Sequence, residues 1–272
     1  MRNRVRGLVR FGLIRSLRVR VLQNSKIRPK YNLAICAIVK NEGRYFAEWI
    51  EYHQKMGTEK FYIYDNESDD NTREILKPFV ENGLVEYVWF PGKHMQQPAY
   101  EDCLTRHRAD ARWIAFIDLD EFIVPMRHKS ILEYLKDFEN FSAVEINWLC
   151  FGSGGAKTRM PGTVMERFRA HSWPEFILNR HVKSIVNPRC VATFVGAHEA
   201  ARISGKTADS NGNIVRKNFM DRPPVLDKIR INHYAIKSYE EFLEKRGRGR
   251  ARRGPLRSDE FFNKYDRNEI IE

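Results

Sequence analysis

The sequence lacks several things that would each have named a function. It has no run of about 18 apolar residues, so no transmembrane helix is expected. Arg15, Arg18 and Arg20 interrupt any apolar stretch near the start, so no signal peptide is read there, and a cytoplasmic protein is expected. Cysteine is scarce: Cys36, Cys103, Cys150 and Cys190 stand alone, without CxxC or zinc spacing. Buried free thiols in a reducing compartment are expected. There is no GxGxxG, which argues against a dinucleotide oxidoreductase, and no GxxxxGK[ST], which argues against a P-loop enzyme. Internal repeats are also absent.

Acid is missing from two segments. The first thirty residues carry ten Lys or Arg and no Asp or Glu. Lys245, Arg246, Arg248, Arg250, Arg252, Arg253 and Arg257 form a second basic run. The formal net charge is +12, yet the chain outside these two runs is net acidic. Basic segments of this kind meet anionic surfaces. Val5, Leu8, Val9, Leu13 and Leu17 add an imperfect apolar stripe to the first run. A peripheral location on the inner face of an anionic membrane is therefore expected. Nucleic acid is not expected as a partner, because the body has neither aromatic-interleaved basic strands nor zinc-finger spacing.

What is present is a regular alternation. Leu33–Val39, Phe61–Tyr64, Val85–Phe90 and Trp113–Ile117 are apolar runs of strand length. Between them lie helical patterns: Phe46 to Met56 ended by Gly57, a segment through Ile75, Leu76 and Phe79, and Ala99–Arg108. Asn71 and Glu74 have capping-box spacing for the second of these helices. The pattern predicts an α/β fold with a mostly parallel, doubly wound sheet. Further on, strands are expected at Ala143–Cys150, Ser184–Val186, Val191–Val195 and Ile229–Tyr234, and helices at Ile131–Phe138 and Tyr239–Lys245. They form a smaller, mixed acceptor-side region. The expected organisation is a basic segment 1–31, a catalytic domain 32–247 divided at 122/123, and a basic tail 248–272.

Ligands of such sheets bind at the carboxyl ends of strands, and three of the four strands end in polar clusters. Asp118-Leu119-Asp120 follows an apolar strand and carries the most chemistry. Carboxylates at i and i+2 can hold a hard divalent cation, Mn²⁺ or Mg²⁺, that neutralises a departing diphosphate. Asp65 and Asn66 can meet a ribose or base, or form a turn. Lys40, Asn41 and Glu42 can meet phosphate and base, or form a polar turn. Downstream, His233 is the better candidate for a third metal ligand and His198 the weaker, and Lys183 is a candidate to neutralise phosphate. Trp148, Phe151 and Trp173 are either sugar platforms or core. Glu145 and Glu199 are weak candidates for the base that deprotonates an acceptor.

Ile38-Val39-Lys40-Asn41-Glu42, Glu48-Trp49, Glu51-Tyr52-His53, Tyr62-Ile63-Tyr64-Asp65-Asn66 with Ser68 and Asp70, and Phe116-Ile117-Asp118-Leu119-Asp120-Glu121-Phe122 together resemble the family-92 glycosyltransferases and their family-2-like relatives. Lys183-Ser184-Ile185-Val186 with Pro188, His198, and Asn232-His233-Tyr234 with Lys237-Ser238 and Glu241-Phe242 extend the resemblance over about residues 32–247. It implies a GT-A-type fold, a nucleotide-sugar donor such as a UDP-sugar, a divalent metal and inversion at the anomeric carbon. Asp118 and Asp120 take the DxD role, His233 the late histidine role, and Gly152–Gly155 a loop near the acceptor. A glycan or lipid-linked glycan is the expected acceptor. A nucleotidyltransferase and a non-enzymatic nucleic-acid-binding module are the alternatives.

Overall fold

The structure, a computed structural model, describes residues 28–249 and 257–272. The apolar stripe of the first run and Arg250, Arg252 and Arg253 lie outside the described residues. No helix among the described residues is long and apolar enough to cross a membrane.

The chain runs β1 (Tyr31–Val39), α1 (Phe46–Lys55), β2 (Lys60–Asp65), α2 (Thr72–Glu81), β3 (Val85–Trp89), α3 (Gln96–His107), β4 (Ala111–Phe116), β5 (Glu121–Pro125), α4 (Ile131–Leu135) and β6 (Ala143–Cys150). It continues with α5 (Val164–Arg167), β7 (Ala170–His171), β8 (Val182–Val186), β9 (Val191–Val195), β10 (Glu199–Arg202), β11 (Thr207–Ala208), β12 (Ile229–His233), α6 (Tyr239–Gly247), α7 (Asp259–Tyr265) and β13 (Ile270–Ile271). A nine-stranded sheet has the order β3-β2-β1-β4-β8-β6-β12-β5, with β11 beside β6. β1 to β4 are parallel, and helical crossovers join them. β8 is antiparallel to both β4 and β6, and β12 is parallel to β6 but antiparallel to β5. The expected α/β class and mostly parallel, mixed sheet are observed.

β1 explains why the sheet is covered on both sides. Successive side chains of a strand point to opposite faces. Leu33, Ile35, Ala37 and Val39 join the core that includes Phe46, Trp49 and Ile50 of α1. Ala34, Cys36 and Ile38 join a second core with Ala99, Tyr100, Cys103 and Leu104 of α3. Each large apolar side chain buried in this way contributes about 1.5–3 kcal/mol. All four cysteines are free thiols, three of them buried.

α1 does more than cover the sheet. The Trp49 indole donates to the Glu121 carbonyl at 2.9 Å. His53 Nδ1 lies 2.8 Å from the Trp49 carbonyl, and His53 Nε2 accepts from the Ile123 backbone N–H at 3.2 Å. These bonds fix the start of β5, immediately after the Asp118–Asp120 turn.

Two expectations change. Asn71 makes no side-chain cap; the Asp70 carboxylate instead accepts from the Thr72 and Gly43 backbone N–H groups, each at 3.0 Å. One acid thus starts α2 and holds the loop after β1. Residues 257–272 are not a tail. α7 is capped by Ser258, and β13 pairs with β7. Gly152 allows this: a Cβ there would lie 2.2 Å from the Arg267 carbonyl oxygen and 2.3 Å from Asn268 Oδ1. Ser153 N–H donates to Asp266 Oδ1 and Gly154 N–H to Asn268 Oδ1, both at 2.7 Å. The Gly152–Gly155 loop is therefore the seat of the carboxyl-terminal segment.

Candidate active site

The parallel strand β4 and the antiparallel pair β5–β12 meet at one end of the sheet. The register sets His233 opposite Glu121, and the Tyr234 N–H donates to the Asp120 carbonyl at 2.9 Å. The Asp118–Asp120 turn is pinned beside them, since the Asp118 N–H donates to Glu121 Oε2 at 2.9 Å. Asp120, Glu121 and His233, all buried, each bring a ligand atom within 4.8 Å of the others.

The chemistry of this trio suits a divalent cation. His233 Nδ1 and Glu121 Oε1 are buried and have no hydrogen-bond partner among the described residues. Such orphaned atoms are costly unless something occupies them. Burial pulls His233 down to about 3, despite the opposing pull of Asp120, so its ring is a neutral donor at neutral pH. Burial also raises the Glu121 carboxyl well above the usual range. Asp120 goes the other way: burial opposes its charge, but Lys245, His233 and Lys237 together hold it well below an ordinary aspartate. Two carboxyls and one imidazole are a fitting set for Mn²⁺ or Mg²⁺.

Asp118 also lines the cleft but is held by other partners. Its Oδ2 is 2.8 Å from Lys183 Nζ, and its Oδ1 accepts from Gln96 Nε2 at 3.1 Å and from the Tyr100 hydroxyl at 3.4 Å. Lys183 is 1% exposed and also lies 3.6 Å from Glu121 Oε2. Burial disfavours its charge, but Asp118 and Glu121 outweigh that and raise it well above the ordinary lysine value. Lys183 is therefore a buried counter-ion to the acidic turn and does not line the cleft.

The cleft above Asp120 has a volume of about 210 Å³. Asp118, Asp120 and His233 line it, with Lys40, Glu42 and Gln96 on one side and Trp148, Ala197 and His198 on another. Lys245, Arg248 and Arg257 complete the wall. Lys245 forms a close ion pair with Asp120 and donates to the Ala235 carbonyl at 2.7 Å. Burial draws Lys245 down to about 8. Arg248 donates to the Asn41 carbonyl at 2.8 Å and to Glu42 Oε1 at 2.5 Å. The second basic run thus turns inward at these three positions. Spacing did not single out Lys245 and Arg248 within this run, or Glu121 within its acidic cluster; Lys245 and Arg248 sit at i and i+3 of a helical pattern, which was the available signal.

Several expected site residues stand apart. Both Asp65 oxygens are taken, one by the Ser68 N–H and one by the Tyr87 hydroxyl, each at 2.8 Å. Asn66 Nδ2 donates to the Phe90 and Gly92 carbonyls. These two hold strand ends together and do not line the cleft. Asn41, at φ 52°, exchanges side-chain bonds with Asp69 and shapes the loop. Glu145 is ion-paired with Arg222, and neither it nor Glu199 lines the cleft, so neither is placed to deprotonate an acceptor there. Of the aromatic candidates only Trp148 lines it, with its ring centroid 4.1 Å from that of His233. Phe151 packs in the core against Tyr234, and Trp173 is solvent-exposed on neither cavity described.

The fold and the cleft define an α/β protein with a buried Asp-Glu-His trio beside a cleft that has a cationic wall. Residues 31–247 match glycosyltransferase family 92, and the chain belongs to that family. A family-92 protein of Ricinus communis is 27% identical over 79% of this chain and 37% of its own length. The galactan beta-1,4-galactosyltransferase GALS2 of Arabidopsis thaliana is 31% identical over 68% of this chain and 39% of its own. The chain thus spans well under half the length of these plant relatives. Among solved structures, S. aureus TarS 1–349 in complex with UDP gives a TM-score of 0.38 at 13% identity, over 58% of this chain and 47% of that one.

Proposed function

We propose that the chain is a metal-dependent glycosyltransferase that moves a sugar from a UDP-sugar to a glycan or lipid-linked glycan, with inversion. The observation that carries this reading is that Asp120 and His233, with Glu121 buried directly behind them, line a cleft walled by Lys40, Lys245, Arg248 and Arg257. Family membership supports the reaction class, and the relatives named for galactan galactosyl transfer make UDP-galactose the first donor to test.

Transfer leaves negative charge on a nucleoside diphosphate, and a bound Mn²⁺ or Mg²⁺ supplies Lewis-acid stabilisation of that charge. Asp120, Glu121 and His233 would hold the cation. Lys245, paired with Asp120, and Arg248, on the cleft wall, would meet diphosphate oxygens. Lys183 keeps Asp118 in place, so the turn stays rigid when charge arrives. The Trp148 face offers an apolar wall to the C–H side of a sugar ring. The expected membrane association of the basic segments remains part of the proposal, because lipid-linked acceptors lie at such a surface.

The test is UDP release from UDP-galactose in the presence of Mn²⁺. Activity should vanish with a chelator and return with the metal. Asp120→Ala should lose activity by about 100-fold or more and lose metal-dependent UDP binding. Full activity in that variant would overturn the metal assignment, and pyrophosphate release from a nucleoside triphosphate would replace the reading with nucleotidyl transfer.

A further inference from the structure

A second cavity, of about 440 Å³, adjoins the first across a wall shared by Lys40, Lys245 and Arg248. Its lining carries four acids, Asp69, Asp70, Glu241 and Glu244, and each is already engaged. Asp69 accepts from Asn41 at 2.6 Å, and Asp70 from the Gly43 and Thr72 N–H groups. Glu241 accepts from Arg167 and Ser238, and Glu244 from Arg159 at 2.7 Å with Arg44 at 3.3 Å. The cations differ. Lys245 and Arg248 are paired with Asp120 and Glu42. Lys237 and Lys40 make no ion pair among the described residues, and Asp120, Glu42 and Glu241 act on Lys237 only from farther off.

Lys237 is the more telling of the two. It is 4% exposed, and its only hydrogen bond among the described residues is a long one, 3.4 Å from Nζ to the Tyr234 carbonyl. Its ammonium sits 4.4 Å from the centre of the Tyr45 ring. Its backbone is held at φ 59°, a conformation that costs a non-glycine residue energy and persists only where the surroundings enforce it. A buried ammonium with unsatisfied N–H groups on a roomy cavity is a poor structural element and a good anion ligand.

We propose that Lys237, with Lys40, forms an oxyanion-binding subsite in this second cavity, which receives a phosphate group carried by the acceptor. The acceptor is thereby an anionic one, such as a phosphorylated or lipid-phosphate-linked glycan. The inference rests on reading the first cavity as the donor site: the trio and Lys245 serve the donor diphosphate there, which leaves the second cavity to the other substrate. Tyr45, which lines the same cavity, holds the ammonium against its ring face.

The experiment titrates inorganic phosphate into the full-length protein by calorimetry at constant ionic strength, with and without saturating UDP and Mg²⁺. Saturable phosphate binding is expected in both conditions. Lys237→Met should weaken it about tenfold or more, Lys237→Arg should largely preserve it, and UDP affinity in Lys237→Met should fall by clearly less than phosphate affinity does. Absence of phosphate binding to the wild type overturns the proposal. Loss of phosphate binding when UDP is bound, or a tenfold loss of UDP affinity in Lys237→Met, assigns the cation to the donor and also overturns it. The wild-type comparison needs no variant, so it stands even if Lys237→Met fails to fold. Failure of the wild type to bind UDP at all would count against the donor reading, while the phosphate titration would still report on Lys237.

Discussion

Asp118 and Asp120 stand two positions apart in one turn and do different work. Asp120 is buried with His233 and Glu121, and Asp118 is tied to Lys183. The distinction gives a sharp test for Lys183, a residue that sequence reasoning assigned to phosphate. If it is a structural counter-ion, Lys183→Met should destabilise the fold, because it strands Asp118 without its positive partner. The expected loss is roughly 2–3 kcal/mol, below the full cost of breaking a buried pair because the Asp118 side chain is 33% exposed. Chemical denaturation measures it. A phosphate ligand would behave in the opposite way, losing UDP affinity while the unfolding midpoint stays unchanged.

At the level of elements, the carboxyl-terminal segment matters more than its place at the end of the chain suggests. α7 and β13 return to β7, Arg230 reaches Glu272 at 2.5 Å, and Arg257 and Phe261 line the cleft. The whole return passes over Gly152, where the backbone of Arg267 approaches too closely for any side chain. Gly152→Ala should therefore dislodge residues 266–272 while the sheet stays folded. Limited proteolysis should cut the variant near its carboxyl terminus while the wild type resists, and the far-ultraviolet circular dichroism of the two should match. Equal resistance in both would show that the segment docks by other contacts.

For the whole molecule, acid sensitivity follows from a buried neutral histidine. Burial holds His53 down to about 3, against about 6.5 for the unfolded chain. Below about pH 6.5 the unfolded chain takes up a proton that the folded one refuses. The stability His53 contributes is thus complete above that pH and is lost as pH falls towards 3. Unfolding free energy should drop over this range. His53→Gln can still accept from the Ile123 N–H and donate to the Trp49 carbonyl, but it does not titrate. Its stability profile between pH 6.5 and 4 should be shallower by up to one proton, about 1.4 kcal/mol per pH unit. Parallel profiles would show that His53 is not the group responsible.

The parallel half of the sheet was legible from the chain alone because its information is local. β1 to β4 are apolar runs of strand length separated by helix-length segments, and a chain that buries both faces of a strand has few other ways to fold. The Asp118–Asp120 turn was legible for the same reason, since it directly follows a fully apolar run. The rest was decided by contacts between distant segments. Only the antiparallel pairing of β12 with β5 brings position 233 beside 121, and no spacing in the sequence encodes that meeting. Glu121 reads as one more acid in a cluster until the packing of α1 and β12 buries it. Glu145 reads as a base until Arg222 is found against it. The second basic run makes the same point for charge. Its composition established that positive charge must lie there, but composition carries no direction. The start of α6 at the Ser238 capping box sets which way its side chains face, and Lys245 and Arg248 thereby enter the cleft instead of the solvent.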